Sequence, residues 1–170
     1  MDLFHFSHDP SIERFTPHVP ATNPTQPASV WAIDAERAPL HWFPRDCQRV
    51  AVWPRDDAER HLFSQAFCTA APRVHAIELG RLRVLASAGI TIATASIPRR
   101  SGRGQRHLGQ WISDRAVEPS EVERLDDLIG CHVTAGIELR AVPDLWPIRD
   151  LAVSGPWDFS VVRFQLAAAR

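Results

Sequence analysis

Lysine and tyrosine are absent from this chain: its 19 basic residues are all arginine, set against 20 acidic ones. Without lysine there is no Schiff-base chemistry and no P-loop lysine for a phosphate. Arginine keeps the planar fork that grips oxyanions through two parallel hydrogen bonds. A genome favouring GC-rich codons explains the bias, and the chemical exclusion holds whatever its origin. Cysteine is scarce: Cys47, Cys68 and Cys131 are odd in number, far apart and in no CxxC pair, so neither a disulfide frame nor a zinc site is expected. A formal charge of −1 removes any global field that would draw in nucleic acid or an anionic membrane. No apolar run approaches the length of a membrane span, and the start, MDLFHFSHDP, lacks the basic and apolar regions of a signal peptide. The expected compartment is the cytoplasm. Dinucleotide GxGxxG, P-loop, GxSxG, HExxH and EF-hand patterns are all missing.

What is present is an ordinary globular composition, 45% apolar and 23% charged over 170 residues, which predicts one domain over 1–170. Short alternating or β-branched runs predict strands at Leu3 to Ser7, Val30 to Asp34, Arg49 to Trp53, Val74 to Leu79, Ile90 to Ile97, Gln110 to Asp114, Ile137 to Val142 and Val161 to Leu166. Four prolines between Pro17 and Ser29 demand a long loop. A helix is expected from a cap at Asp56 or Asp57 to about Thr69, and a further turn of helix over Gly80 to Ala88. Ala35 to Phe43 reads as a short helix interrupted or begun by Pro39. Ser120 and Glu123 form a capping-box pattern, so the best-marked helix is placed from Ser120, with Val122, Leu125, Leu128 and Ile129 on one face. A turn through Pro143 to Pro147 joins the last two strands. Strands outnumber helices without strict alternation, which favours α+β with a mixed, mostly antiparallel split sheet.

Five places can carry chemistry. His5 and Ser7 share one strand face and offer donors and acceptors to a ribose or phosphate, or are simply a solvated polar face. Arg45 beside Cys47 suggests a thiol of lowered pKa, against a packed cysteine behind an Arg45–Asp46 turn. Arg99, Arg100, Arg103 and Arg106, interleaved with Gly102, Gly104 and His107, are the one concentration of positive charge, an anion or RNA contact or a solvated hairpin tip. Glu118 precedes Pro119 as a carboxylate able to act on a sugar hydroxyl or to favour a helix start. His5, His8 and Asp9 lie close in sequence, but alternation along a strand sends His5 and His8 to opposite faces, so no metal site is assigned.

The blocks LFHFSHDPSIERF, VWAID, FPRDC, VHAIEL, GIELRAV, LWPIRD and FSVVRF, spread from Leu3 to Phe164, resemble an uncharacterised bacterial family defined only as a domain of unknown function. Its members usually carry an acidic residue where this chain has His8, and a more aromatic stretch at Ile90 to Ile97. In shorter pieces the chain is similar to the ADP-ribosyltransferase-like fold. His5 in LFHFS matches the histidine that meets the NAD ribose there, and Val117, Glu118 and Pro119 match its V-x-P segment with an acid. That resemblance implies His5 on the ribose, Glu118 as catalytic acid and NAD as ligand; Ser7, which shares the face of His5, Trp31 and Arg45 are expected as further nucleotide contacts. The fold's middle motif residue has no clear counterpart: Trp31 or Asp34 stands in that region. The expected function is therefore a nucleotide-binding domain of NAD type, with ADP-ribosyl or phosphoryl transfer. The alternatives are a non-enzymatic binding or interaction protein, and an RNA-binding module acting through the Arg99–Arg106 loop.

Overall fold

A computed structural model describes residues 2–20, 24–95 and 110–169. The chain is α+β, and its contacts gather into two compact units, Met1–His41 with Gly89–Leu125, and Trp42–Ala88 with Asp126–Arg170.

The first unit is built on a five-stranded antiparallel sheet of β1 (Leu3–Ser7), β2 (Val30–Asp34), β5 (Ile90–Ala95), β6 (Gln110–Ser113) and β7 (Glu121–Leu125), in the order β6-β2-β1-β5-β7. Register sorts the side chains. Leu3, His5 and Ser7 lie opposite Ala95, Ala93 and Thr91, while Phe4 pairs with Ile33 and shares the other face with Phe6 and Trp31. The small core on the first face is Phe15, Val30, Ala93, Ala95 and Val117, with Ile12 packed against it. Phe15 and Val117 also form an isolated antiparallel bridge, Phe15 N–H to the Val117 carbonyl at 2.8 Å and the reverse at 3.0 Å. A one-turn 3₁₀ helix at Ala38–His41 stands where a short helix around Pro39 is expected.

The second unit holds a four-stranded mixed sheet of β3 (Arg49–Trp53), β4 (Val74–Glu78), β8 (Glu138–Val142) and β9 (Asp158–Val162), in the order β8-β4-β3-β9, with β4 and β8 parallel. Four helices belong to it: α1 (Asp57–Phe67), α2 (Leu82–Ser87), α3 (Leu128–Thr134) and α4 (Trp146–Ser154). Asp56 caps α1 by accepting the Glu59 N–H at 2.8 Å, and Glu59 in turn bonds both the backbone and guanidinium of Arg55. Phe63, Phe67 and Trp157 form an aromatic cluster with centroids 4.8 to 6.0 Å apart over Val50, Val52, Val74 and Ala76. The Trp157 indole N–H donates to the Ala152 carbonyl at 3.0 Å, so this large ring is buried with its one polar atom satisfied.

Three expectations from sequence are corrected. Glu121–Leu125 is the edge strand β7, not the start of a helix. Ser120 does not cap: its N–H donates to the Thr94 carbonyl at 2.8 Å, and its hydroxyl turns to the same carbonyl at 3.2 Å. The open edge of β5 offers Glu121–Leu125 a ladder, and helix begins only after Asp127, whose carboxylate accepts the Gly130 N–H at 2.7 Å. The segment after Pro143 is not just a turn, since α4 follows it with Pro147 in the first turn, where a missing N–H costs nothing. The last strand lies earlier than expected, over Asp158–Val162, and ends where Arg163 takes left-handed backbone at φ 56°.

Candidate active site

β1 and β2 pair only at Leu3 with Asp34 and at Phe4 with Ile33. Beyond Phe4 the strands part, although β2 stays paired with β6 from Val30 to Ile33 and β1 with β5 throughout. The gap leaves carbonyls without a ladder donor, and the His5 side chain supplies one: Nδ1–H donates to the Trp31 carbonyl at 2.7 Å. That bond places a proton on Nδ1 and sets the orientation of the ring. The Phe15 ring lies against the imidazole, centroids 4.3 Å apart, and locks its rotamer.

A pocket of about 110 Å³ opens at the gap, lined by Phe4, Phe6, Trp31, Ile33, His41 and Gln110, with His5 and Ala32 from the parting strands. His41 stacks on Phe6 at 5.2 Å with planes 11° apart, which makes a flat wall. Among the described residues the lining has no carboxylate and no arginine, and Gln110 brings an amide that both donates and accepts. At about 110 Å³ the hollow is smaller than the apolar cavity of roughly 150 Å³ that accepts benzene, so it cannot enclose a dinucleotide and takes a flat ring only in part.

His5 and Trp31 thus meet at one site. Ser7 does not join them: its Oγ accepts the Asp9 N–H at 3.0 Å and closes the turn after β1. Glu118 sits beside the Phe15–Val117 bridge but does not line the pocket. Its side chain is 75% exposed, with Arg14 at 4.0 Å. Arg45 belongs to the second unit, exposed, with its carbonyl accepting the Arg163 Nε–H at 3.4 Å. The reactive-thiol reading of Cys47 is overturned. That side chain is buried, and burial pushes the thiol pKa up against the opposing pull of Arg49 and Arg81. Asp9 is occupied by the Ser11 N–H and hydroxyl at 2.9 and 2.7 Å, and among the described residues no three metal-binding side chains gather. The Arg99–Arg106 loop lies outside the described residues.

Phe4, Phe6, His41 and Gln110 line the candidate pocket, and sequence reading did not single them out. The alternation of β1 does place Phe4 and Phe6 together, but nothing local says that the face carrying them stays open. Also missed was a buried imidazole pair in the second unit. His132 Nδ1–H donates to the Leu128 carbonyl at 2.7 Å, and His132 Nε2 accepts the Nδ1–H of His75 at 3.0 Å. Phe43 packs on both rings and Trp42 on His132. Burial, followed for His75 by the positive influence of His132, Arg73 and Arg49, holds both imidazoles below their usual pKa and neutral.

The fold and pocket define an α+β protein with a small, aromatic-walled hollow where two strands of an antiparallel sheet diverge. The chain belongs to the family of unknown function DUF6886, whose model it matches over residues 4–167. No curated protein and no solved structure matches it.

Proposed function

We propose that the chain binds a nucleotide of NAD type, seating a heteroaromatic ring such as nicotinamide in the pocket at the β1–β2 gap. The observation that carries this reading is the pocket itself: a stacked Phe6–His41 wall, with Trp31 and Gln110 among the residues that line it. Flat rings are held by stacking, and a polar edge group such as a carboxamide finds both a donor and an acceptor in glutamine. His5, pinned by Phe15 and the Trp31 carbonyl, brings a fixed hydrogen-bonding edge to the same gap, in keeping with the likeness of LFHFS to the ADP-ribosyltransferase-like fold. In that reading the glycosidic bond from ribose C1′ to the ring nitrogen breaks, and the nicotinamide leaves with the electron pair. The likeness assigns stabilisation of the oxocarbenium ion to Glu118, which would have to turn from its exposed place beside Arg14 to reach C1′ before an acceptor nucleophile attacks there. Phosphoryl transfer is the variant in which the nucleophile attacks phosphorus, the phosphoanhydride P–O bond breaks, and the other phosphate leaves with the electron pair.

A second reading has its own observation. Glu118 is exposed and outside the pocket lining, which suits a binding protein that performs no chemistry. Calorimetric titration with nicotinamide, NAD and ADP-ribose, combined with a nicotinamide-release assay, separates the two. The proposal expects nicotinamide and NAD to bind, and Phe6→Ala to weaken both by about tenfold, the worth of one aromatic stacking partner. Glu118→Gln should spare binding and abolish release if transfer occurs. Saturable binding with no release in the wild type supports the non-enzymatic reading. No saturable heat at about 10 mM nicotinamide, ten times a millimolar dissociation constant, retires the pocket as a ring site.

A further inference from the structure

One end of the second unit's sheet, where β3 begins and β4 and β9 finish, collects arginines. Arg49 opens β3 opposite Ile77 of β4 and Val162 of β9, so the residues just beyond those strand ends fall beside it. They include Arg81 after β4 and Arg163 after β9, and the turn before β3 adds Arg45. Two carboxylates accompany them. Asp46 is exposed. Glu78 has one oxygen taken by Gln48 Nε2 at 2.6 Å and the other by the Ala168 N–H at 2.7 Å, both neutral donors. Arg81 is turned onto the Gln48 amide oxygen at 2.9 Å.

Arg163 is held there at a cost. Its backbone is left-handed, which disfavours any residue with a Cβ by about 1 kcal/mol. Its Nε–H is spent on the Arg45 carbonyl at 3.4 Å. The terminal amino groups of this half-buried guanidinium have no protein partner among the described residues. Behind it, Arg49 is buried, its charge resting on the Phe43 ring at 4.9 Å and its Nη1–H on the Cys47 carbonyl at 3.0 Å. Two like charges set side by side repel, and an anion between or in front of them turns that repulsion into attraction.

We propose that Arg163 and Arg45, backed by the buried charge of Arg49, bind a phosphate-type oxyanion. The Nη amino groups of Arg163 grip two of its oxygens in the bidentate manner, Arg45 closes from solvent, and Arg49 supplies field more than contact. The Arg49 guanidinium is lowered to about 10, by burial first and with Arg163 among the causes, so it stays charged at neutral pH. The site lies wholly in the second unit and stands apart from the ring-binding reading of the first.

The test is calorimetric titration of the full chain with inorganic phosphate and with AMP at constant ionic strength. Both should bind saturably. Tighter binding of AMP identifies a nucleotide phosphate as the source, and equal binding a free phosphate. Arg163→Gly removes the side chain at a backbone conformation that glycine adopts freely, so the variant keeps its fold. Its affinity for both probes should drop at least about tenfold, the usual worth of a charge-assisted bidentate contact. Arg45→Gln should lose a few-fold, and Arg83→Gln, an exposed arginine on α2, nothing. A wild type without saturable phosphate binding up to about 10 mM, ten times a millimolar dissociation constant, overturns the proposal. So does a folded Arg163→Gly chain that binds as well as wild type, or an equal loss in Arg83→Gln, which would mark unspecific screening.

Discussion

Replacing His5 tests whether the imidazole is the strut of the β1–β2 gap. His5→Ala removes the donor from the Trp31 carbonyl and the ring packed on Phe15. A part-buried carbonyl left without its partner costs about 1–3 kcal/mol, and an aromatic contact about 0.5–1.5 kcal/mol. The loss should therefore be about 2–4 kcal/mol, seen as a lower urea midpoint with unchanged slope, or a fall in Tm of about 5–15 °C for a chain of this length. His5→Asn places an amide N–H near the position of Nδ1, so it should recover the hydrogen-bond share and lose only about 1–2 kcal/mol. His5→Phe should do the opposite, keeping the ring contact and orphaning the carbonyl. If all three variants unfold within about 0.5 kcal/mol of wild type, as neutral surface changes do, the imidazole is not anchored as described, and its place in the site loses its basis.

Other expectations follow from the packing. Gly155→Ala would set a methyl group 2.0 Å from the Trp157 ring, so the indole must leave its seat against Phe63 and Phe67. Overpacking and the lost Ala152 bond together should cost about 2–4 kcal/mol in urea unfolding, and a neutral result would mean the ring is free to move. Both buried imidazoles, His75 and His132, have folded pKa values below the ordinary 6.5. The unfolded chain then takes up protons first, so stability is full above about pH 6.5 and falls as the pH drops toward 5. Glu59 and Glu138, with lowered pKa values, add their loss only further down, below about 4.5. A profile flat from pH 8 to 5, or one unchanged in a His75→Phe, His132→Leu double variant, contradicts this. Asp127→Ala should cost about 1 kcal/mol by uncapping α3, whereas Ser120→Ala should cost less than half of that, since the Ser120 hydroxyl caps no helix.

Local pattern carried far in this chain. Leu3–Ser7, Val30–Asp34 and Arg49–Trp53 are strands to the residue, because their β-branched and aromatic runs are short, alternating and bounded by turn formers. Asp56 was legible as a cap because nothing else competes for the first N–H groups of α1. Where a local signal met a tertiary one, the tertiary one prevailed. The capping-box pattern at Ser120 lost to an unpaired strand edge, which offers Glu121–Leu125 five ladder partners where a helix start offers one cap. His5 and Trp31, singled out from the sequence, line one pocket, yet its wall of Phe6, His41 and Gln110 comes from three distant stretches of sequence.

By itself, then, the order of residues set the chemistry available: arginine as the only strong cation, no lysine nucleophile, an α+β balance, and a histidine on the opening strand. It could not set which side chains share a surface. That depended on the register of β1 against β2, which pair at two positions and then part, and on the pairing of β3 with β9, which sets Arg49 opposite Val162, the neighbour of Arg163 in the chain. Ladder pairing and burial act between segments remote in sequence, so their outcome is fixed only when the whole chain is folded.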